Sequence, residues 1–326
     1  MESRVPARDL CLSHSNSLEV AIDEQLAGIR LDQFLAMTVP WVSRSVLAHS
    51  IKKGLICVDS ICRKSSYRLK AGEIVRGDIE TQEVIDVQPQ QIDFSIIYED
   101  EFLLLLSKPP GLVVHPGSGN SQGTLVNGLV HYCQSIAEVG DSLRPGIVHR
   151  LDKDTSGIML VAKQGFVHRK LVDDFKNRRL TKEYLALLHG VLKEKSGRLV
   201  APLGRHPVHR QKIAVKPNGG RHAVSNWQVL QEFSNLFSLV KISIETGRTH
   251  QIRVHMAHLG CPVVGDSLYG GYRDNNAFPR QLLHASRLVF QHPVTDTPMD
   301  YTAPLWPDFA EAMNRLNGTM RREEGE

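Results

Sequence analysis

Apolar positions along the chain alternate between two periods, and the changes of period mark out the elements. Leu31, Phe34 and Leu35 recur at helical spacing ahead of Pro40, and Val46, Leu47 and Ile51 define a second helix, with Ser43 placed to cap it and Gly54 to stop it. Short strand patterns follow at 55–58 and 73–75, the first closing on a turn at Asp59-Ser60. After the polar stretch 81–91, residues 95–106 read as two strands joined by an acidic turn, the second too apolar for an exposed strand. A further strand is expected at 112–115 and a helix at 125–132. Residues 146–163, GIVHRLDKDTSGIMLVAK, read as a strand, a polar loop and a buried strand. An amphipathic helix (Phe166, Leu171, Phe175) and strands at 181–188, 224–230 and 236–244 come next. A helix capped by Thr246 or Thr249 and ending at Gly260, a last strand at 282–290 and a terminal helix opened by Pro307 complete the series.

The length of 326 residues suits about two domains. The punctuation divides the chain into a polar tail (1–16), a small domain (17–80), a linker (81–91), a large domain (92–317) and a second tail (318–326). The formal charge of +4 is compatible with a nucleic-acid partner without demanding one. Cys11, Cys57, Cys62, Cys133 and Cys261 are scattered, with no Cys-x-x-Cys and no histidine spacing that completes a zinc set, so they read as reduced thiols and no metal is expected. The first residues lack the apolar core of a secretory signal, and no apolar run has the length of a membrane span. A cytoplasmic location and a monomeric state are the default expectations.

The densest chemistry lies in the polar loop. His149, Arg150, Asp152, Lys153 and Asp154 crowd into six positions, closed by Thr155-Ser156-Gly157. A carboxylate held between cations has its charged form favoured, which suits an anionic catalytic group; a solvated loop with a local ion pair would have the same composition. Residues 204–222 contain no acid but carry Arg205, Arg210, Lys212, Lys216 and Arg221, as a shaped basic loop contacting an RNA backbone would. Arg253 lies between Ile252 and Val254, a place best explained if it points inward at a carboxylate. The glycine-rich run 116–123 fits neither phosphate-loop pattern. Gly265-Asp-Ser-Leu268 mimics the GDSL hydrolase motif, but it comes late in the chain and lacks the Asp-x-x-His partner.

His149-Arg150-Leu151-Asp152 with Thr155-Ser156-Gly157, then Lys182-Glu183-Tyr184, then the run from Gly247 to His255 resemble, in order, the signatures of the RluA-type pseudouridine synthases. The 17–80 unit resembles the S4 RNA-binding module, with Asp59-Ser60 where that module usually has Asn-Gly; Arg44, Lys52 and Lys53 are its candidate RNA contacts. The S4-like unit, VHPGSGN and GRHPVHRQKIAV look most like the RluD branch, which acts on large-subunit (23S) ribosomal RNA. The resemblance implies an α+β fold: a mixed, mostly antiparallel central sheet with flanking helices. It implies Asp152 as catalytic carboxylate, Arg150 as the side chain replacing the flipped nucleotide, Tyr184 packed on the target base, Arg253 paired with Asp152, and no cofactor, since uridine isomerisation moves no electrons in or out. Transfer RNA or another ribosomal RNA site is the alternative substrate. A non-catalytic ribosome-assembly factor is the rival from another class, against which the set Asp152, Arg150, Tyr184 and Arg253 argues.

Overall fold

The computed structural model describes residues 17–39, 42, 44–79, 87–117, 120–209, 211–270 and 278–323, without the side chains of 44–46 and 319–323. The chain divides into two compact units, 1–85 and 86–326. The 1–16 tail, Ser43 and most of the expected linker lie outside the described residues.

The first unit runs β1 (Ser17–Ala21), α1 (Leu31–Thr38), α2 (Arg44–Lys52), β2 (Ile56–Val58) and β3 (Ile74–Asp78). Its antiparallel sheet has the order β1-β3-β2. Leu31, Phe34 and Leu35 of α1, Leu47 and Ile51 of α2, and Ile56, Val58 and Val75 of the sheet form one core. Strand β1 was not foreseen, because only Leu18 of its five residues is fully buried and the alternation is too short to stand out. Asp59 and Ser60 both have positive φ (50° and 63°), as a two-residue primed hairpin turn requires, and Asp59 Oδ1 accepts the Ile74 N–H at 2.9 Å. Asp-Ser therefore fills the role that Asn-Gly fills elsewhere. The free thiols of Cys57 and Cys62 face each other across this turn at 3.2 Å.

In the second unit, β4 (Ser95–Glu99), β5 (Leu103–Lys108) and α3 (Leu125–Tyr132) precede β6 (Ser156–Ala162), α4 (Gly165–Lys176), β7 (Thr181–His189) and β8 (Ser196–Val200). A small hairpin, β9 (Leu203–Arg205) and β10 (Ile213–Val215), leads to β11 (Val224–Phe233), β12 (Phe237–Ile244), α5 (Gln251–His258), β13 (Leu283–Gln291), β14 (Pro298–Thr302) and α6 (Pro307–Glu323). The main sheet has the order β4-β5-β6-β13-β7-β12-β11-β8, with β14 also on β13. Its pairings are antiparallel except β6 with β13. The fold is α+β, a mixed and mostly antiparallel sheet with flanking helices. The fully buried strands β5 and β6 carry the continuous apolar runs that a sheet covered on both faces demands.

Gly157 makes the parallel junction possible. Its φ is 113°, and a Cβ there would collide with the Ala285 backbone of β13.

Several expectations are corrected. Residues 112–115 form no strand: Leu112 O accepts from Lys108, and Val113 O and Val114 O accept from the first N–H groups of α3. The basic loop is partly the β9–β10 hairpin. Helix α5 is capped by His250 in a left-handed conformation (φ 55°) instead of by a threonine, because Thr246 Oγ1 is engaged with Val224 N and Gln251 Oε1. Residues 87–91, the end of the expected linker, pack on α3: Val87 is buried against Val126 and Val130, and Asn127 Nδ2 donates to Gln88 O. Helix α6 reaches Glu323, past the expected tail start at 318; its last residues are good helix formers, and one glycine at 318 costs about 1 kcal/mol without ending it.

Candidate active site

The polar loop 149–155 leads directly into β6, and three anchors fix its backbone. The His149 ring stacks on Phe175 with centroids 4.7 Å apart, and its Nε2 accepts the Leu160 N–H at 2.8 Å. That bond needs a neutral imidazole, and burial lowers the His149 pKa to about 3. Beneath the loop, the buried Lys108 Nζ donates to Pro109 O (2.7 Å), Leu112 O (2.9 Å) and Lys153 O (2.9 Å). Three carbonyls match the three N–H bonds of an ammonium, while burial draws its pKa down to about 7. Arg280, paired with Asp308, donates to Asp154 O at 3.0 Å. Two cations thus hold consecutive carbonyls, and Thr155 N–H closes the turn on Asp152 O at 3.1 Å.

The facing wall is α5. Arg253 is almost fully buried and is shared by two carboxylates. Its Nε and Nη2 form a two-pronged pair with Asp266 at 2.6 and 2.8 Å, and its Nη1 reaches Asp152 Oδ2 at 3.2 Å. The Asp266 side chain is 0% exposed and that of Asp152 is 19% exposed, so one carboxylate is structural ballast for the guanidinium while the other opens to solvent. Asp266 Oδ1 also accepts from Leu268 N and Tyr269 N at 3.0 and 3.1 Å. The two carboxylates hold the Arg253 pKa above its ordinary value against the opposing effect of burial. The guanidinium lies 5.1 Å from the Tyr269 ring centroid, and the Tyr269 hydroxyl accepts from Ile213 N and contacts His250 Nδ1 at 2.9 Å. Burial keeps His250 below the ordinary histidine range, so the imidazole is neutral.

Tyr184, on β7, is buried, and burial together with the Asp152 charge raises its pKa, keeping the phenol protonated. Arg150 is exposed; its Nη1 donates to His115 Nε2 at 3.2 Å. Nδ1 of the same ring donates to Pro116 O, and burial depresses the His115 pKa, so the ring is a neutral acceptor for Arg150. Arg150, Asp152, Thr155, Tyr184, His250 and Arg253 line one cleft with a cavity of about 100 Å³, the scale of a single flat ring.

All four residues singled out for the chemistry meet in this cleft. The candidate RNA contacts are more dispersed. Lys52 and Lys53 are exposed and line a cavity of the first unit with Arg63 and Lys64. Arg205 borders a cavity of the second unit with Lys216, Arg221 and Arg248, while Lys212 lies at the turn of the β9–β10 hairpin. Arg210 and the Arg44 side chain lie outside the described residues. Sequence reasoning missed Lys108, His115, Asp266 and Tyr269. Asp266 had a signal, since a buried arginine needs its charge balanced, but the acid was read only as part of a false hydrolase motif.

Among the described residues no helix is long and apolar enough to cross a membrane. Comparison with known proteins gives a consistent result. The RNA pseudouridylate synthase family matches residues 102–258, and the S4 domain matches 29–75. The chain is 42% identical over 304 residues to a ribosomal large subunit pseudouridine synthase D of Pseudomonas aeruginosa, covering 90% of this chain and 93% of that protein. It is 40% identical over 301 residues to an uncharacterised RNA pseudouridine synthase of Bacillus subtilis, covering 92% and 98%. Among solved structures, the human RNA pseudouridylate synthase domain containing 1 aligns with a TM-score of 0.54 and 28% identity, over 71% of this chain and 89% of that one.

Proposed function

The chain belongs to the RNA pseudouridylate synthase family, in its RluA-type, RluD-like group, and on that premise we propose that it isomerises specific uridines of large-subunit ribosomal RNA in the cytoplasm, with Asp152 as the catalytic carboxylate. The observation that carries the mechanism is the unequal sharing of Arg253. Its two-pronged contact goes to buried Asp266, and Asp152 receives a single 3.2 Å contact. Asp152 therefore touches the cation through one oxygen and leaves the rest of its carboxylate to the cleft.

The reaction breaks the N1–C1′ bond, turns the uracil and joins C5 to C1′. An ionised carboxylate serves it by attacking C1′ or by removing the 2′ proton. Glycosidases use two carboxylates because a sugar alkoxide leaves poorly; uracil needs less acid help, so one carboxylate suffices. The buried face of Tyr184 packs against the detached base while it turns. Arg150, exposed and steadied by neutral His115, enters the RNA in place of the flipped nucleotide, an exchange offsetting an unstacking cost of about a few kcal/mol. Lys52 and Lys53 of the S4 unit, and Arg205, Arg210 and Lys212 of the catalytic unit, contact the RNA backbone.

The test is pseudouridine mapping of ribosomal RNA from cells lacking this protein, complemented with the wild type or with Asp152→Asn. Defined large-subunit sites should vanish and return only with the wild type. Restoration by Asp152→Asn would remove Asp152 from the chemistry. Persistence of every ribosomal site would move the substrate to transfer RNA.

A further inference from the structure

A second cavity, of about 370 Å³, adjoins the Asp152 cleft and shares Arg150, Tyr184 and Arg248 with it. Its other wall is the end of α4 and the start of β7, which supply Lys176, Arg178 and Lys182. Five cations therefore face this space against one carboxylate, Glu245, and that carboxylate is held by Arg198 (3.0 and 3.2 Å) and Asn226 (3.2 Å). Among the described residues, the neighbouring acids Asp173 and Asp174 pair with Arg179, leaving Lys176, Arg178 and Lys182 without a carboxylate in ion-pair contact, although Arg178 acts on Glu245 at longer range.

Two features show that this charge is held at a cost. Lys182 is half-buried with its ammonium 5.6 Å from the Phe175 ring centroid, and burial together with Arg178 lowers its pKa. An unpaired cation out of bulk water is unfavourable unless an anion arrives. Arg178 has φ 59°, a left-handed conformation that costs a non-glycine residue about 1–2 kcal/mol. Glycine would end α4 there without that cost, so the backbone does not call for an arginine at this position.

We propose that this cavity seats a phosphodiester of the RNA strand next to the nucleotide whose base enters the Asp152 cleft, with Arg178 and Lys182 as its main contacts. The proposal rests on the synthase reading. The shared wall of Arg150, Tyr184 and Arg248 then separates base from backbone, so the anchored phosphate sets which nucleotide of the loop reaches Asp152.

The test uses the full-length protein and a ribosomal RNA stem-loop containing a mapped target. Affinity is measured across a salt series for wild type, Arg178→Gly, Lys182→Met and the double variant, alongside kcat and KM. Arg178→Gly removes the charge while suiting the local backbone, so its Tm should hold or rise. Lys182→Met keeps the apolar stem. Each substitution should flatten the slope of log affinity against log salt by about 0.7, and kcat/KM should fall mainly through KM. Exposed Lys193→Met, outside the cavity, should leave the slope unchanged. A wild type that makes pseudouridine alongside a double variant with unaltered slope and KM would overturn the phosphate site and leave the synthase reading intact. A wild type that makes none, with the slopes still falling, would sink the synthase reading and leave an anion site.

Discussion

Replacing Asp266 by asparagine tests how the Arg253 charge is divided. The change is isosteric, yet every position around the carboxylate is a donor. Oδ1 receives Arg253 Nη2, Leu268 N and Tyr269 N, and Oδ2 receives Arg253 Nε. An asparagine keeps its oxygen where three donors converge, which turns its NH₂ onto the guanidinium. Breaking a buried pair in this way costs about 3–5 kcal/mol. For a unit of this size each kcal/mol moves the Tm by about 2–4 °C, so a fall of about 6–20 °C is expected. Deprived of Asp266, the guanidinium turns to Asp152 and holds it by two prongs. Misplacing a reacting group by about 1 Å costs about 100-fold in rate, and single-turnover rates should fall at least that far. The double variant Asp266→Asn with Arg253→Met removes the buried charge along with its lost partner. It should recover more than half of the lost stability while turnover stays low, because Asp152 then has no cation. Denaturation and single-turnover measurements on the wild type and the two variants decide the matter. An Asp266→Asn protein within about 0.5 kcal/mol of wild type, or a double variant less stable than Asp266→Asn, would refute the reasoning.

Two further outcomes follow from the supports beneath the cleft. His115→Ala removes the acceptor that steadies Arg150; a hydrogen bond to a charged group is worth about 1.5–3 kcal/mol, so kcat/KM should drop about 10-fold or more while Asp152-independent RNA binding changes little, and equal kcat/KM would free Arg150 from His115. Lys108 has a pKa lowered from 10.5 to about 7, so between those values the unfolded chain binds more protons and its contribution to stability rises with pH. Thermal denaturation from pH 6.5 to 9.5 should therefore show wild type gaining on Lys108→Met as pH increases, and parallel curves would mean that the three carbonyls keep the ammonium charged throughout.

Arg150, Asp152, Tyr184 and Arg253 were legible because they lie in short runs of unusual character: a crowd of charges bounded by apolar strands, a tyrosine in a strand, an arginine amid buried neighbours. Their supports were not, because each acts across a long stretch of chain and carries no local oddity. Lys108 ends an apolar strand and holds the carbonyl of Lys153, and His115 looked like part of a strand that does not form. In the fold, long strands with continuous or alternating apolar runs could be read, whereas β8, β9, β10 and β14 were too short and too weakly buried for a period to register. The left-handed His250 cap escaped as well, since threonines nearby offered the ordinary capping chemistry and a tertiary contact took Thr246 first.

The order of strands in the main sheet bears on how the protein is made. Strand β13 lies between β6 and β7, which are complete about 130 and 100 residues before it is. From the end of β6 to the end of β13, synthesis at about 5–20 residues per second takes roughly 6–26 s. For most of that interval two largely apolar strands present open edges, the condition under which nascent chains pair with the wrong partner. The Asp152 loop likewise lacks Arg253 until α5 is made and the Gly157–Ala285 junction until β13 is made. The sheet thus stays open between β6 and β7 until β13 is made, and mutations in β13 should register first as poor yield of folded protein and only then as slow catalysis.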